Sequence, residues 1–247
     1  MIEAIARRIG EDRDGLKVRG WIHNALGRAV DIEREDISIP GLIGVLKAHA
    51  GTPPRVLDFG CGRGPHRGAF ETAGFAWEGV DYFESGSVHF RDGLPEGVTG
   101  YDGRALPFAG GAWRAVWSWQ ALEHVHDPER AIAEVARVLA PGGGFCGSTS
   151  FLEPFHGHST FGYTPYGFKL LLERNGLALK GIYPGIDGVS MALRYLLMAL
   201  GHDPEPGLLA QRRIGRAIDR AAGSRRKSRE IQLQLCGHFR FIAERTG

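Results

Sequence analysis

Three carboxylates and three histidines sit at chain reversals in this sequence of 247 residues. Asp58 lies in Arg55-Val56-Leu57-Asp58-Phe59-Gly60-Cys61-Gly62-Arg63-Gly64, an apolar run that breaks into alternating glycines. Such glycines let a backbone pass close to a bound molecule, because no Cβ stands in the way. A turn from a strand into a helix N-terminus also gathers exposed N–H groups and partial positive charge. Asp81 closes Gly79-Val80-Asp81 and can accept hydrogen bonds from both hydroxyls of a ribose; a plain surface Asp is the competing reading. Asp102 opens Asp102-Gly103-Arg104-Ala105-Leu106-Pro107-Phe108, where a carboxylate can accept from an exocyclic adenine amine. His124, His156 and His158 are candidate general bases, since an imidazole titrates near neutrality. A capping, core or loop histidine is the alternative at each. His156-x-His158 is also a metal-ligand spacing, but no third ligand is evident, and no metal is expected.

Strands and helices alternate around these residues. Val56 to Phe59, Ala76 to Val80, Val98 to Tyr101, Ala115 to Trp119 and Phe145 to Thr149 read as strands one to five, and Leu177 to Tyr183 and His238 to Ala243 as the last two. A helix is expected from about Pro65 to Ala73. Another starts at Asp127-Pro128-Glu129 with an Asp cap, Pro at the first helical position and acid in the first turn. Its buried stripe is Ile132, Val135, Ala136 and Leu139, and Pro141-Gly142-Gly143-Gly144 ends it. Alternation of this kind predicts a parallel sheet covered on both faces, with ligands at the carboxyl ends of the strands.

The division expected is a helical lead-in over 1–50, a ligand-binding domain over 51–183 and 231–247, and a helical insertion over 184–230. In the lead-in, Ile2, Ile5, Ala6 and Ile9 are spaced as one helix face, and Pro40 to Ala50 reads as a second helix. Phe151 to Tyr166, rich in aromatics and histidine, is expected to be an active-site loop. Pro165 to Asn175 reads as a helix with Gly176 as its terminator. The insertion holds an apolar helix over 189–200 and a basic one over about 208–222.

Hydrophobic content of 43% and charged content of 23% fit a sizeable globular core. Cys61, Cys146 and Cys236 are far apart and form no CxxC pair, which excludes a zinc ribbon and fits a reducing cytoplasm. Met1 to Gly10 has alternating charges and no apolar core, so no secretory leader is expected. The longest apolar run, Val189 to Leu200, contains Arg194 and is too short to span a membrane. Net charge is +2, yet Gln211 to Glu230 carries eight Arg or Lys against two acids, so the basic excess is local. Most such faces are simply solvated. An anionic partner is the sharper idea; a membrane surface is a lesser one, and nucleic acid is not expected.

VLDFGCGRG, GVDYFES, DGRALPF and ALEHVHDPERAIAEVARVLAPGGGF together resemble the class I S-adenosylmethionine-dependent methyltransferases, in the broad subgroup called type 11. The resemblance covers about residues 52–183 and His238 to Glu244. It implies a Rossmann-like three-layer sandwich with a seven-stranded, mostly parallel sheet whose last strand is antiparallel. It also implies that Gly60, Cys61 and Gly62 pass under the methionine moiety and sugar. Asp81 would hold the ribose hydroxyls with Tyr82 beside the adenine, and Asp102 would accept from the adenine amine near the Gly103–Arg104 backbone. The Trp119 carbonyl would face the methionine ammonium, which Asp58 would meet through water unless it orients the turn instead. Two departures are a short, polar connection after strand two and a bulky Trp119, which implies an aromatic pocket wall.

The expected reaction is methyl transfer from S-adenosylmethionine to a small-molecule or glycan-type acceptor, at oxygen. An anionic or carrier-linked acceptor is within this expectation. Two rivals stay open. One is a cofactor-binding subunit without catalysis. The other is a nicotinamide or flavin oxidoreductase, against which Pro65 speaks: it stands where the GxGxxG fingerprint wants a small residue. Oligomeric state is left open.

Overall fold

A computed structural model describes residues 21–83, 90 and 93–247. The helix face of Ile2, Ile5, Ala6 and Ile9 lies outside them, as does most of the connection after strand two. The described elements begin with α1 (Trp21–Leu26) and α2 (Ile39–His49). The alternating unit follows: β1 (Arg55–Phe59), α3 (Arg67–Thr72), β2 (Ala76–Tyr82), β3 (Val98–Tyr101), β4 (Trp113–Trp119), a 3-10 turn (Leu122–His124), α4 (Pro128–Val138) and β5 (Leu139–Ser150). Then come α5 (Pro165–Arg174), β6 (Leu177–Pro184), α6 (Gly188–Ala199), α7 (Glu205–Ala222), α8 (Arg225–Leu235) and β7 (His238–Arg245).

The seven strands are ordered β3-β2-β1-β4-β5-β7-β6. Pairs from β3 across to β5 are parallel, and β7 runs antiparallel between β5 and β6. The expected Rossmann-like fold is therefore present. Strand order reverses between β1 and β4, and an open sheet parts there to leave a crevice at its carboxyl edge. The candidate residues line that edge.

Strand alternation distributes the core to both faces. Leu57 and Phe59 of β1 pack on one face with Ile132 and Val135 of α4 and Phe168 and Leu172 of α5. Val56 faces the other side, with Leu42, Ile43 and Leu46 of α2, Phe70 of α3 and Trp117 of β4. Capping fixes the helix starts. Asp127 accepts from Arg130 N–H at 3.1 Å, and Thr164 Oγ1 accepts from Gly167 N–H at 3.0 Å. Each is followed by Pro at the first helical position.

Two boundaries differ from expectation. Strand five begins at Leu139 rather than Phe145, because Leu139 pairs with Trp113 before the ladder shifts and resumes at Gly144 with Ala115. The glycines read as a helix stop thus form an irregular strand entrance. The helix α8 was not read from the sequence, and it crosses the 230/231 boundary. In the insertion, α6 buries Ser190 and Met191 but leaves Val189, Leu196 and Met198 exposed, as is Leu200 just after it. Among the described residues no helix is long and apolar enough to cross a membrane.

Candidate active site

The glycine turn has a backbone reason for each glycine. Gly60, Gly62 and Gly64 have φ of 70°, 54° and 75°, a region that residues with a Cβ seldom adopt. Gly60 N–H donates to Val80 O at 2.8 Å, which ties the turn to the end of β2. A Cβ on Gly60 would stand 2.3 Å from that of Ala121, so the chain leaving β4 presses directly on the turn. A Cβ on Gly62 would meet open space, so the turn keeps a free side toward solvent. Cys61 is buried, and Gly79 makes room for its thiol: a Cβ there would lie 2.6 Å from Cys61 Sγ.

Asp58 is buried, and its Oδ2 accepts from Trp77 Nε1 at 3.0 Å. Burial pushes its carboxyl up to about 7; the indole bond opposes this and the Asp81 charge adds to it. Of the two roles implied for Asp58, this bond serves neither directly, because it joins neighbouring strands.

Asp81 is joined to the turn. Its Oδ2 accepts from Gly62 N–H at 2.5 Å and its Oδ1 from Tyr82 N–H at 2.7 Å. Tyr82 is exposed beside Gly103, where a Cβ would lie 3.2 Å from its ring. Asp102 Oδ1 accepts from Arg104 N–H at 2.8 Å and Ala105 N–H at 3.1 Å. Those backbone bonds hold its carboxyl below the usual carboxylate range, so it remains an acceptor. Asp81, Tyr82, Asp102, Gly103 and Arg104 thus gather at the ends of β2 and β3, next to the turn.

Trp119, the bulky residue at the end of β4, is half-buried. Its ring stacks on Trp117 with centroids 5.1 Å apart and meets His66 edge-on at 5.5 Å. The Arg240 guanidinium lies over it at 5.6 Å. The indole is therefore part of a stack on the sheet face.

The residues after β4 form a polar centre. Gln120 has φ of 50°, the sole left-handed non-glycine among the described residues. Strain of this kind gathers at functional sites. With the Gln120 amide oriented by its hydrogen bonds, its NH2 donates to Glu153 Oε2 at 3.1 Å and Glu123 Oε1 at 3.2 Å. Glu123 is fully buried, and burial raises its carboxyl although Thr149 and Ser150 hydroxyls donate to it at 3.0 and 3.1 Å. Glu153 Oε2 lies against the same Ser150 hydroxyl, whose single proton is shared between the two carboxylates, and Glu153 Oε1 accepts from Tyr195 OH at 3.0 Å.

His124 and His156 meet edge-to-face with centroids 5.1 Å apart, whereas His158 is exposed. Burial lowers the His124 ring, and the nearby His156 lowers it further. Donor atoms of Glu123, His124 and His156 all lie within 4.8 Å of one another. Tyr163 is structural: its buried OH donates to Leu122 O at 2.9 Å and holds the 3-10 turn. The sequence reading passed over Gln120, Glu123 and Glu153. Glu123 stood in the quoted segment after strand four and Gln120 just before it, and a Gln and Glu bracketing a strand exit was the available signal.

This fold and glycine turn define a class, and comparison with known proteins agrees. Residues 38–179, more than half of the chain, match the family model described as a methyltransferase domain. The chain belongs to this family, with the class I S-adenosylmethionine-dependent methyltransferase fold. An uncharacterized methyltransferase of Mycolicibacterium gilvum (strain PYR-GCK) is 37% identical over 120 residues, covering 45% of this chain and 47% of the relative. The chain therefore spans about half the length of the curated relatives it matches. Among solved structures, an S-adenosylmethionine-dependent methyltransferase from Mesorhizobium loti is similar at TM-score 0.52 and 19% identity, over 82% of this chain and 96% of that one. So is the geranyl diphosphate C-methyltransferase of Streptomyces coelicolor A3(2), in complex with Mg2+, geranyl diphosphate and S-adenosyl-L-homocysteine, at TM-score 0.51 and 17% identity over 99% and 98%.

Proposed function

We propose that this protein transfers a methyl group from S-adenosylmethionine to the oxygen of a small-molecule or glycan-type acceptor. The observation that carries this reading is the bond from Gly62 N–H to Asp81 Oδ2. It makes the glycine cradle and the ribose-binding acid one unit at the point where strand order reverses. The cofactor supplies a sulfonium-bound methyl and a thioether leaving group. Gly60, Cys61 and Gly62 would carry its methionine and sugar, and Asp81 its ribose hydroxyls. Tyr82 and the Gly103–Arg104 backbone would flank the adenine, with Asp102 accepting from its amine. The Trp119 carbonyl would meet the ammonium.

Transfer is an in-line displacement. The acceptor O–H loses its proton to a base, the O–C bond forms, and the S–C bond breaks with its electron pair staying on sulfur. Alignment by the protein can supply roughly 7–11 kcal/mol of the acceleration in well-oriented systems. The polar groups after β4, with His124 and His156 foremost, stand beside the turn through the Gly60–Ala121 contact and would contact the acceptor.

An anionic or carrier-linked acceptor is favoured by charge. Arg194 and Arg240 each bury an Nε that has no hydrogen-bond partner among the described residues. The charges of both, with that of Glu153, act on the His238 ring at the start of β7.

Methyl-labelled S-adenosylmethionine with a panel of hydroxylated acceptors tests the reading. Expected is acceptor-dependent release of S-adenosylhomocysteine. Cofactor binding with no turnover on any acceptor class would favour the binding-only subunit. Binding of NADH in place of S-adenosylmethionine would overturn the assignment.

A further inference from the structure

We propose that Glu123, His124 and His156 form a site for a divalent transition-metal ion at the acceptor side of the pocket. Their donor atoms lie within 4.8 Å of one another. Ligands about 2.0–2.2 Å from a tetrahedral ion are roughly 3.4 Å apart, so the donor atoms here stand at most about 1.4 Å wider than that spacing. Two imidazoles with one carboxylate suit zinc, cobalt, manganese or iron rather than calcium or magnesium.

The surroundings are those of a metal site. His156 Nδ1 lies 3.1 Å from Pro154 O, and a donor there leaves Nε2 as the ligand atom. Metal-binding histidines are oriented this way by a carbonyl or carboxylate on the second nitrogen. Glu153 Oε1 lies 3.8 Å from the same Nδ1, beyond hydrogen-bond reach, and adds negative charge beside the ring. Glu123 Oε1 is taken by the Ser150 hydroxyl and the Gln120 amide, whereas Oε2 accepts from Thr149 and keeps a lone pair for an ion. The two histidines come from different segments, the 3-10 turn and the loop after β5. An ion would therefore fasten that loop over the pocket. His156-x-His158, the spacing visible in the sequence, is not the ligand pair; His158 is replaced by His124.

Three protein ligands leave coordination positions open, which is the pattern of catalytic rather than structural sites. An acceptor oxygen bound there would be both oriented and polarised. That role rests on the methyl-transfer reading, whereas ion binding itself does not, and the test is made without cofactor.

Untagged full-length protein is titrated with Co2+ and followed by its visible absorption, alongside H124A, H156A and H158A. Expected is one equivalent with bands of a nitrogen- and oxygen-ligated ion, at least tenfold weaker binding in H124A and H156A, and no change in H158A. Circular dichroism shows whether each variant is folded, and H156Q, on a surface loop, is the second variant if H156A is not. Equal Co2+ affinity in the wild-type protein and folded H124A and H156A or H156Q would overturn the proposal. So would the absence of a cobalt spectrum in the wild-type protein at millimolar ion. S-adenosylmethionine binding, measured separately, remains interpretable in either case.

Discussion

Replacing Asp81 by Ala separates the cofactor assignment from mere folding. In the structure this carboxylate accepts from Gly62 N–H at 2.5 Å and Tyr82 N–H at 2.7 Å, so its position is fixed before any ligand arrives. A ribose would add two charge-assisted hydrogen bonds, each worth about 1.5–3 kcal/mol. Water can replace part of this at the half-exposed end of β2, so the lower value applies to each bond. The loss is then about 3 kcal/mol, or roughly 100-fold in Kd at 1.4 kcal/mol per factor of ten. Asp81→Asn keeps one acceptor oxygen and should lose about tenfold. Titration calorimetry with S-adenosylmethionine and S-adenosylhomocysteine measures both, and circular dichroism melts show whether the turn has survived. A folded Asp81→Ala protein whose Kd lies within threefold of the wild-type value would refute the ribose assignment.

Three further outcomes follow from particular contacts. Gly60→Ala combines a φ of 70° with overlap on Ala121; it should destabilise by about 1–3 kcal/mol and abolish cofactor binding, read by melting and calorimetry. Asp58 titrates at about 7 in the fold against 3.8 when free. The native state thus binds more protons than the unfolded one between those values, and stability falls as pH rises from about 4 to 7, by at most about 4 kcal/mol. Asp58→Asn should flatten that slope in a Tm-against-pH series; an unchanged slope would show that Asp58 is not the group responsible. Phe168 is fully buried against Tyr163, Phe239 and Phe241, so Phe168→Ala should cost about 3–5 kcal/mol, roughly 10 °C in Tm for a chain of this size.

The parts visible in the sequence were those governed by local rules. The alternating pattern located all seven strands, and the Asp127-Pro128 start and the Pro165 to Gly176 bounds located two helices, because caps and terminators need only neighbouring residues. The glycine turn and Asp81 stood out because both belong to the first strand–helix–strand unit, and Asp102 because it directly follows the next strand. What was hidden depends on contacts distant in sequence. Gln120, Glu123 and Glu153 become a centre only when β4 and β5 lie side by side. The pairing of His124 with His156 needs the loop after β5 to fold back onto the 3-10 turn. The contacts of Trp119 with Trp117, His66 and Arg240 were hidden for the same reason, since no local pattern shows them. The entrance of β5 was misplaced because glycines that end helices also permit an irregular ladder.

The central claim is that the turn at Gly60 to Gly64 takes S-adenosylmethionine. Calorimetric titration of the folded wild-type protein with S-adenosylmethionine, S-adenosylhomocysteine and NADH tests it most directly. The expected result is one-to-one binding of the first two, each displacing the other, and no heat with NADH. Saturable NADH binding, or no heat with S-adenosylmethionine from protein that melts cooperatively, would contradict it.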